Sequence, residues 1–215
     1  MADGDGKLAE LLIDHYQKTY EITYELWKAR NRLFPTLAMV IGGGALLAFR
    51  VPEAEPLFVA VLAGLLRLDP AQQANLQASF PFEIVQTVIL VIVFHLMLDL
   101  YRHTLDITRT YQYLNRLEDE IRQIASLPEK SVAFTREGRF YQEHKPRGLA
   151  GGIRWVYTLA LGVLLAVFLY ARIAGDIQQG NWLFTGANIA IAVPTVFYFF
   201  AYAFPVIGVK SPKKP

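Results

Sequence analysis

Cysteine is absent from this chain. Its absence excludes a disulfide framework, a thiolate metal centre and a cysteine nucleophile. Histidine is nearly as scarce, with four residues in 215: His15, His95, His103 and His144. No His-Glu-x-x-His pair, no paired aspartates of a prenyl-transfer type and no serine-nucleophile elbow occur. Charge is thin as well, 19% of the chain with a net value of +2. The net value says little, because the information lies in where charge is missing.

It is absent from Phe34–Phe49 and Trp182–Ile207 and sparse in Phe82–Tyr101 and Ile153–Ala174, four long apolar runs. Each is close to the ~20 residues a helix needs to cross about 30 Å of hydrocarbon, the first being the shortest. Unalternated runs of this length are not barrel strands, so backbone satisfaction in lipid requires helices. The third and fourth runs contain no histidine, which removes the paired ligands of a membrane haem. The expected fold is all-α, a four-helix polytopic transmembrane bundle with cytoplasmic helical extensions.

Lys and Arg are distributed unequally about these runs. Lys7, Lys18, Lys28, Arg30 and Arg32 precede the first, and Arg102, Arg109, Arg116, Arg122, Lys130, Arg136, Arg139, Lys145, Arg147 and Arg154 separate the second from the third. The opposite side offers Arg50 and Arg67 in its first loop and Arg172 in its second, while Lys210, Lys213 and Lys214 end the tail. Cytoplasmic loops retain basic residues, so both termini are expected in the cytoplasm of a bacterial inner-membrane protein. The opening Met-Ala-Asp-Gly-Asp-Gly-Lys has neither the basic start nor the early apolar run of a cleaved signal, so no removal is expected.

The domain reading follows. Residues 1–33 form a cytoplasmic amphipathic helix, with Leu8, Leu12, Tyr16, Tyr20, Tyr24 and Trp27 at helical spacing. Residues 34–101 form a first transmembrane hairpin, whose outer stretch Leu57–Leu68 is too short to cross and reads as a re-entrant or interface-lying helix. Residues 102–152 are a cytoplasmic helix and connector. Ile107, Tyr111, Leu114, Leu117, Ile121 and Ile124 keep a near-heptad stripe there until Leu127-Pro128 stops it. Residues 153–208 form the second hairpin and 209–215 the tail. The stripes of the two cytoplasmic helices are buried most simply by antiparallel packing on each other, or alternatively against another subunit.

Three sets of residues bear on function. His95, Asp99 and His103 lie at i, i+4 and i+8 on one face at the inner end of the second span. They are the alternative catalytic site, able to relay protons or contribute to a metal site. An ion-pair ladder of Asp99, Arg102, His103 and Asp106 where the helix leaves lipid accounts for the same residues. Gly42-Gly43-Gly44 lies inside an apolar helix with no Lys-Ser or Lys-Thr after it, so it is no phosphate loop. With Ala38 and Ala45 it offers a small surface for helix packing or a pore lining, as do Gly186 and Ala190. Asn188 needs a partner or a wet cavity, and Pro194 is a candidate kink. Arg136, Arg139, Lys145 and Arg147 can meet headgroups or the phosphates of a nucleotide signal, or stand as a solvated loop. No metal ligand set and no cofactor is expected.

Tyr20, Tyr24, Trp27, Arg30-Asn31 and Phe34 before the first span, with Leu117-Glu118-Asp119-Glu120 after the second, resemble the SLATT-type bacterial membrane effectors over little more than half the chain. The resemblance implies an oligomeric pore-former in a nucleotide-dependent defence system, with no catalytic residue carried over. The second pair of spans departs from that type. The leading expectation is a homo-oligomeric, channel-like or pore-forming effector gated through its cytoplasmic helices. Its expected partners are the lipid bilayer, further copies and a cytoplasmic protein or nucleotide signal, with no nucleic acid. The alternatives are an inner-leaflet enzyme acting on a lipid-like substrate and a non-catalytic membrane scaffold subunit.

Overall fold

The structure, a computed structural model, describes residues 2–48, 54–129, 131–135 and 149–207. Among the described residues the chain forms six helices and no strand. They are α1 (Ala2–Ala48), α2 (Ala54–Leu66), α3 (Pro70–Ser79), α4 (Phe82–Ile124), α5 (Leu149–Gln179) and α6 (Trp182–Ile207). Four of them, α1, α4, α5 and α6, are long and apolar enough to cross a membrane, and the protein is an integral membrane protein with an all-α fold.

The four spans pack in the cyclic order α1, α4, α6, α5, each against the next and α5 back against α1. One core fills the middle: Leu37 and Ile41 of α1, Leu90, Val93, Met97 and Leu100 of α4, Leu161, Leu165 and Phe168 of α5, and Ala192 of α6. Apolar side chains also cover the outside, as Met39, Val163, Tyr170 and Leu183 are strongly exposed. A chain apolar inside and out cannot draw its helices together by escaping water, so close packing must hold them. Two glycines provide it. A Cβ on Gly44 would lie 2.8 Å from Ile89 Cγ2 and 2.9 Å from Phe168 Cε2, and one on Gly162 would lie 2.7 Å from Phe199 Cζ.

α1 and α4 continue together past the bundle as an antiparallel stalk, α4 for roughly 35 Å beyond Tyr101 at 1.5 Å per residue. Ile107, Leu114, Leu117 and Ile121 are buried along it. In water each contributes up to about 1.5–3 kcal/mol. Across the stalk, His15 Nε2 lies 2.8 Å from the Tyr113 hydroxyl, and the Tyr16 hydroxyl donates to Glu118 Oε1 at 2.9 Å. Beyond Ile124, Arg122 donates to the carbonyls of Pro128, Glu129, Ser131 and Ala133, folding residues 128–135 back on the helix end. Phe134 meets Tyr16 edge-on, closing the stalk tip.

The opposite end carries the loops. Arg67, at φ 55°, closes α2, and the Leu68 N–H reaches back to the Ala63 carbonyl. α3 starts on a capping box in which Asp69 accepts from the Gln72 N–H while the Gln72 side chain accepts from the Asp69 N–H. Phe58, Phe80 and Phe82 form one aromatic cluster joining α2 to the start of α4. The α5–α6 turn passes through Gly180 at φ 70°. Pro35 and Pro194 both lie inside continuous helices.

Candidate functional site: a buried polar clamp at the loop end

Charge concentrates inside the bundle at the loop end. Arg172 and Asp176 stand one turn apart on α5, 2% and 0% exposed, and Arg172 Nη1 donates to Asp176 Oδ1. Arg172 Nη2 reaches α4, donating to Thr87 Oγ1 at 3.2 Å and to the Glu83 carbonyl at 3.3 Å. Asn188 of α6, fully buried, donates through Nδ2 to Asp176 Oδ2 at 2.6 Å. Both carboxylate oxygens of Asp176 are therefore taken. Asn188 Oδ1 has no hydrogen-bond partner among the described residues. Asn181 in the α5–α6 turn lies 3.5 Å from the Glu83 carboxylate, and Gln86 donates to the Leu47 carbonyl in the last turn of α1 at 2.9 Å. All four spans are thus tied at one level.

Local chemistry explains the arrangement. Asp176 falls in the last turn of α5, where the helix dipole disfavours a negative charge. Arg172 one turn back and Asn188 across the helix pair offset both that and the loss of water. A paired, hydrogen-bonded ion pair of this kind holds helices in register, with one carboxylate oxygen accepting from a side chain of α5 and the other from one of α6.

The sequence reading counts Arg172 with the second outer loop, at the end of a run drawn to Ala174. Instead α5 continues to Gln179, and Arg172 lies within the bundle. Its guanidinium has partners from two helices, so it need not reach water. Asp176 was not anticipated at all. The available signal was an Arg and an Asp at i, i+4 facing a helix that carries a lone asparagine.

The second polar site lies midway along α4, on the bundle side of the stalk. His95 Nε2 lies 3.4 Å from Asp99 Oδ2, with the His95 side chain 70% exposed and that of Asp99 29%. His103 turns away from this pair, its Nδ1 lying 2.8 Å from the Asp99 backbone carbonyl. The i, i+4, i+8 set therefore resolves into one exposed pair and one separately tethered ring. Among the described residues no three His, Asp or Glu side chains are grouped to hold a metal ion. Nor does an ion pair among them join Arg102 to Asp99 or Asp106, so the expected ladder does not form, and Asp99 pairs instead with His95 of its own helix.

Of the three consecutive glycines only Gly44 meets a neighbouring helix, while a Cβ on Gly42 or Gly43 would meet nothing within 4 Å. Gly186 is also open and Ala190 exposed, so the close approach of α6 is at Gly162 instead. Pro194 is partly buried beside the fully buried Thr195, whose hydroxyl donates to the Ile191 carbonyl. Arg136, Arg139, Lys145 and Arg147 lie outside the described residues. Compared with protein families, curated proteins and solved structures, the chain matches none.

Proposed function

We propose that the protein is a homo-oligomeric, channel-like membrane protein whose ion pathway runs between copies, with the α1–α4 stalk as its gating element. The observation that carries this reading is the exposed His95 on the outside of α4, paired with the half-buried Asp99 within an otherwise apolar stretch. A charged group facing lipid costs several kcal/mol, about 2.5–3.5 at mid-bilayer on insertion scales. A facing subunit or a water-filled seam removes that cost. The interior of one bundle is filled by Leu37, Ile41, Leu90, Val93, Met97 and Phe168, which favours a pathway between bundles. The basic residues on the stalk side support cytoplasmic termini in a bacterial inner membrane. The resemblance of the N-terminal half to SLATT-type effectors supports a pore-forming effector that answers a nucleotide or protein signal.

The test is the mass of the nanodisc-extracted particle, followed by conductance of the same sample in a planar bilayer. A ring of several copies that carries current, with conductance altered by Asp99→Asn, is the expected result. A silent monomer overturns it.

The same pair favours one second reading. A carboxylate beside an imidazole at the lipid boundary is a general-base arrangement, suited to an enzyme acting on a lipid-like substrate. In that case His95→Ala abolishes turnover of the lipid while assembly is unchanged.

A further inference from the structure

The loop end presents a surface that neither the clamp nor the proposed pathway uses. From Pro56 to Leu66, α2 carries no charged or polar side chain. Its inward face is short, with Val59 and Ala63 buried. Its outward face is the reverse of a water-facing helix: Leu57, Val61 and Leu65, at i, i+4 and i+8, are 65%, 57% and 77% exposed, with Ala60 and Gly64 between them.

Position decides what covers that stripe. α2 packs on α1 near the end of a membrane-crossing helix, and Phe58 ties it through Phe80 to Phe82, the first residue of the next one. It is held beside the loop-end termini of two membrane-crossing helices. α3 shows the contrasting composition, Pro-Ala-Gln-Gln-Ala-Asn-Leu-Gln-Ala-Ser with no buried residue and a capping box on Asp69. Two short helices side by side, one wholly apolar outward and one polar, divide acyl chains from water.

We propose that α2 is a half-embedded interfacial helix, its Leu57, Val61 and Leu65 stripe seated among the acyl chains of the leaflet at the loop end, with α3 lying above it in water. The occupant is lipid, and a second copy of the chain is the competing one. Continuity with the spanning helices seats α2 there whether or not a pathway runs between copies.

The cysteine-free chain makes the test direct. Val61→Cys and Ala74→Cys, both at exposed positions, are labelled with an environment-sensitive fluorophore. The full chain is then reconstituted into phosphatidylcholine–phosphatidylglycerol vesicles with or without brominated acyl chains. The expected result is blue-shifted emission at position 61 that bromine quenches, with water-like, unquenched emission at position 74. Emission at 61 matching that at 74 overturns the proposal. So does blue-shifted emission that bromine fails to quench while unlabelled Val61→Cys forms a disulfide between copies, since the stripe is then covered by protein.

Discussion

Arg172 holds a charge where only partners make it tolerable, and its removal shows the asymmetry of buried ion pairs. Arg172→Ala leaves the Asp176 carboxylate buried without its counter-charge and is expected to destabilise by about 3–5 kcal/mol, whereas Arg172→Met with Asp176→Leu recovers part of the loss, Asn188 being left without its carboxylate. Asn188→Ala removes one hydrogen bond to the same carboxylate and costs about 1–3 kcal/mol. Thermal unfolding in detergent ranks the three, and equal losses for the single and double replacements would refute the clamp. The glycines separate equally sharply. Gly44→Val drives atoms into Ile89 and Phe168 and costs about 1–3 kcal/mol, while Gly43→Val leaves the melting temperature of a single copy unchanged. The need of Asn188 for a partner was legible, because a lone amide in an apolar run has few alternatives. Arg172 was misread because a charge near the end of an apolar run looks like the beginning of a loop. Which glycine of three touches a neighbour depends on helix rotation, which hydropathy does not carry.

Helices were legible in proportion to their length. The four apolar runs announced four spans, and the stripe from Ile107 to Ile124 announced that α4 outlasts the lipid. α3 was not foreseen, although Asp69-Pro70-x-Gln72 spells its capping box, because nothing apolar in it signals burial. The end of α4 offers two expectations. Ser126 occupies a left-handed conformation at φ 48°, so Ser126→Gly is expected to stabilise the stalk by about 1 kcal/mol, read as a higher stalk melting temperature. Arg122→Ala releases four carbonyls at once, and hydrogen exchange is expected to rise across residues 128–135 while α4 itself remains protected. Unchanged exchange in that segment would mean that Phe134 packing alone holds it.

The whole molecule is two layers with different cohesive physics. Inside lipid the bundle depends on shape and on one polar clamp, and in water the stalk depends on apolar burial and on the Tyr16–Glu118 bond. Tyr16→Phe is therefore expected to loosen the stalk by about 1–3 kcal/mol without altering the span packing, a separation that domain-resolved hydrogen exchange checks. One feature couples the layers mechanically. α4 passes from membrane to stalk with no proline, while α1 makes the same passage with Pro35 at the crossing. Of the pair, α1 alone lacks one backbone N–H donor at the crossing, because proline has none. The stalk tip and Thr87, where the guanidinium of Arg172 is moored, therefore lie on one unbroken helix.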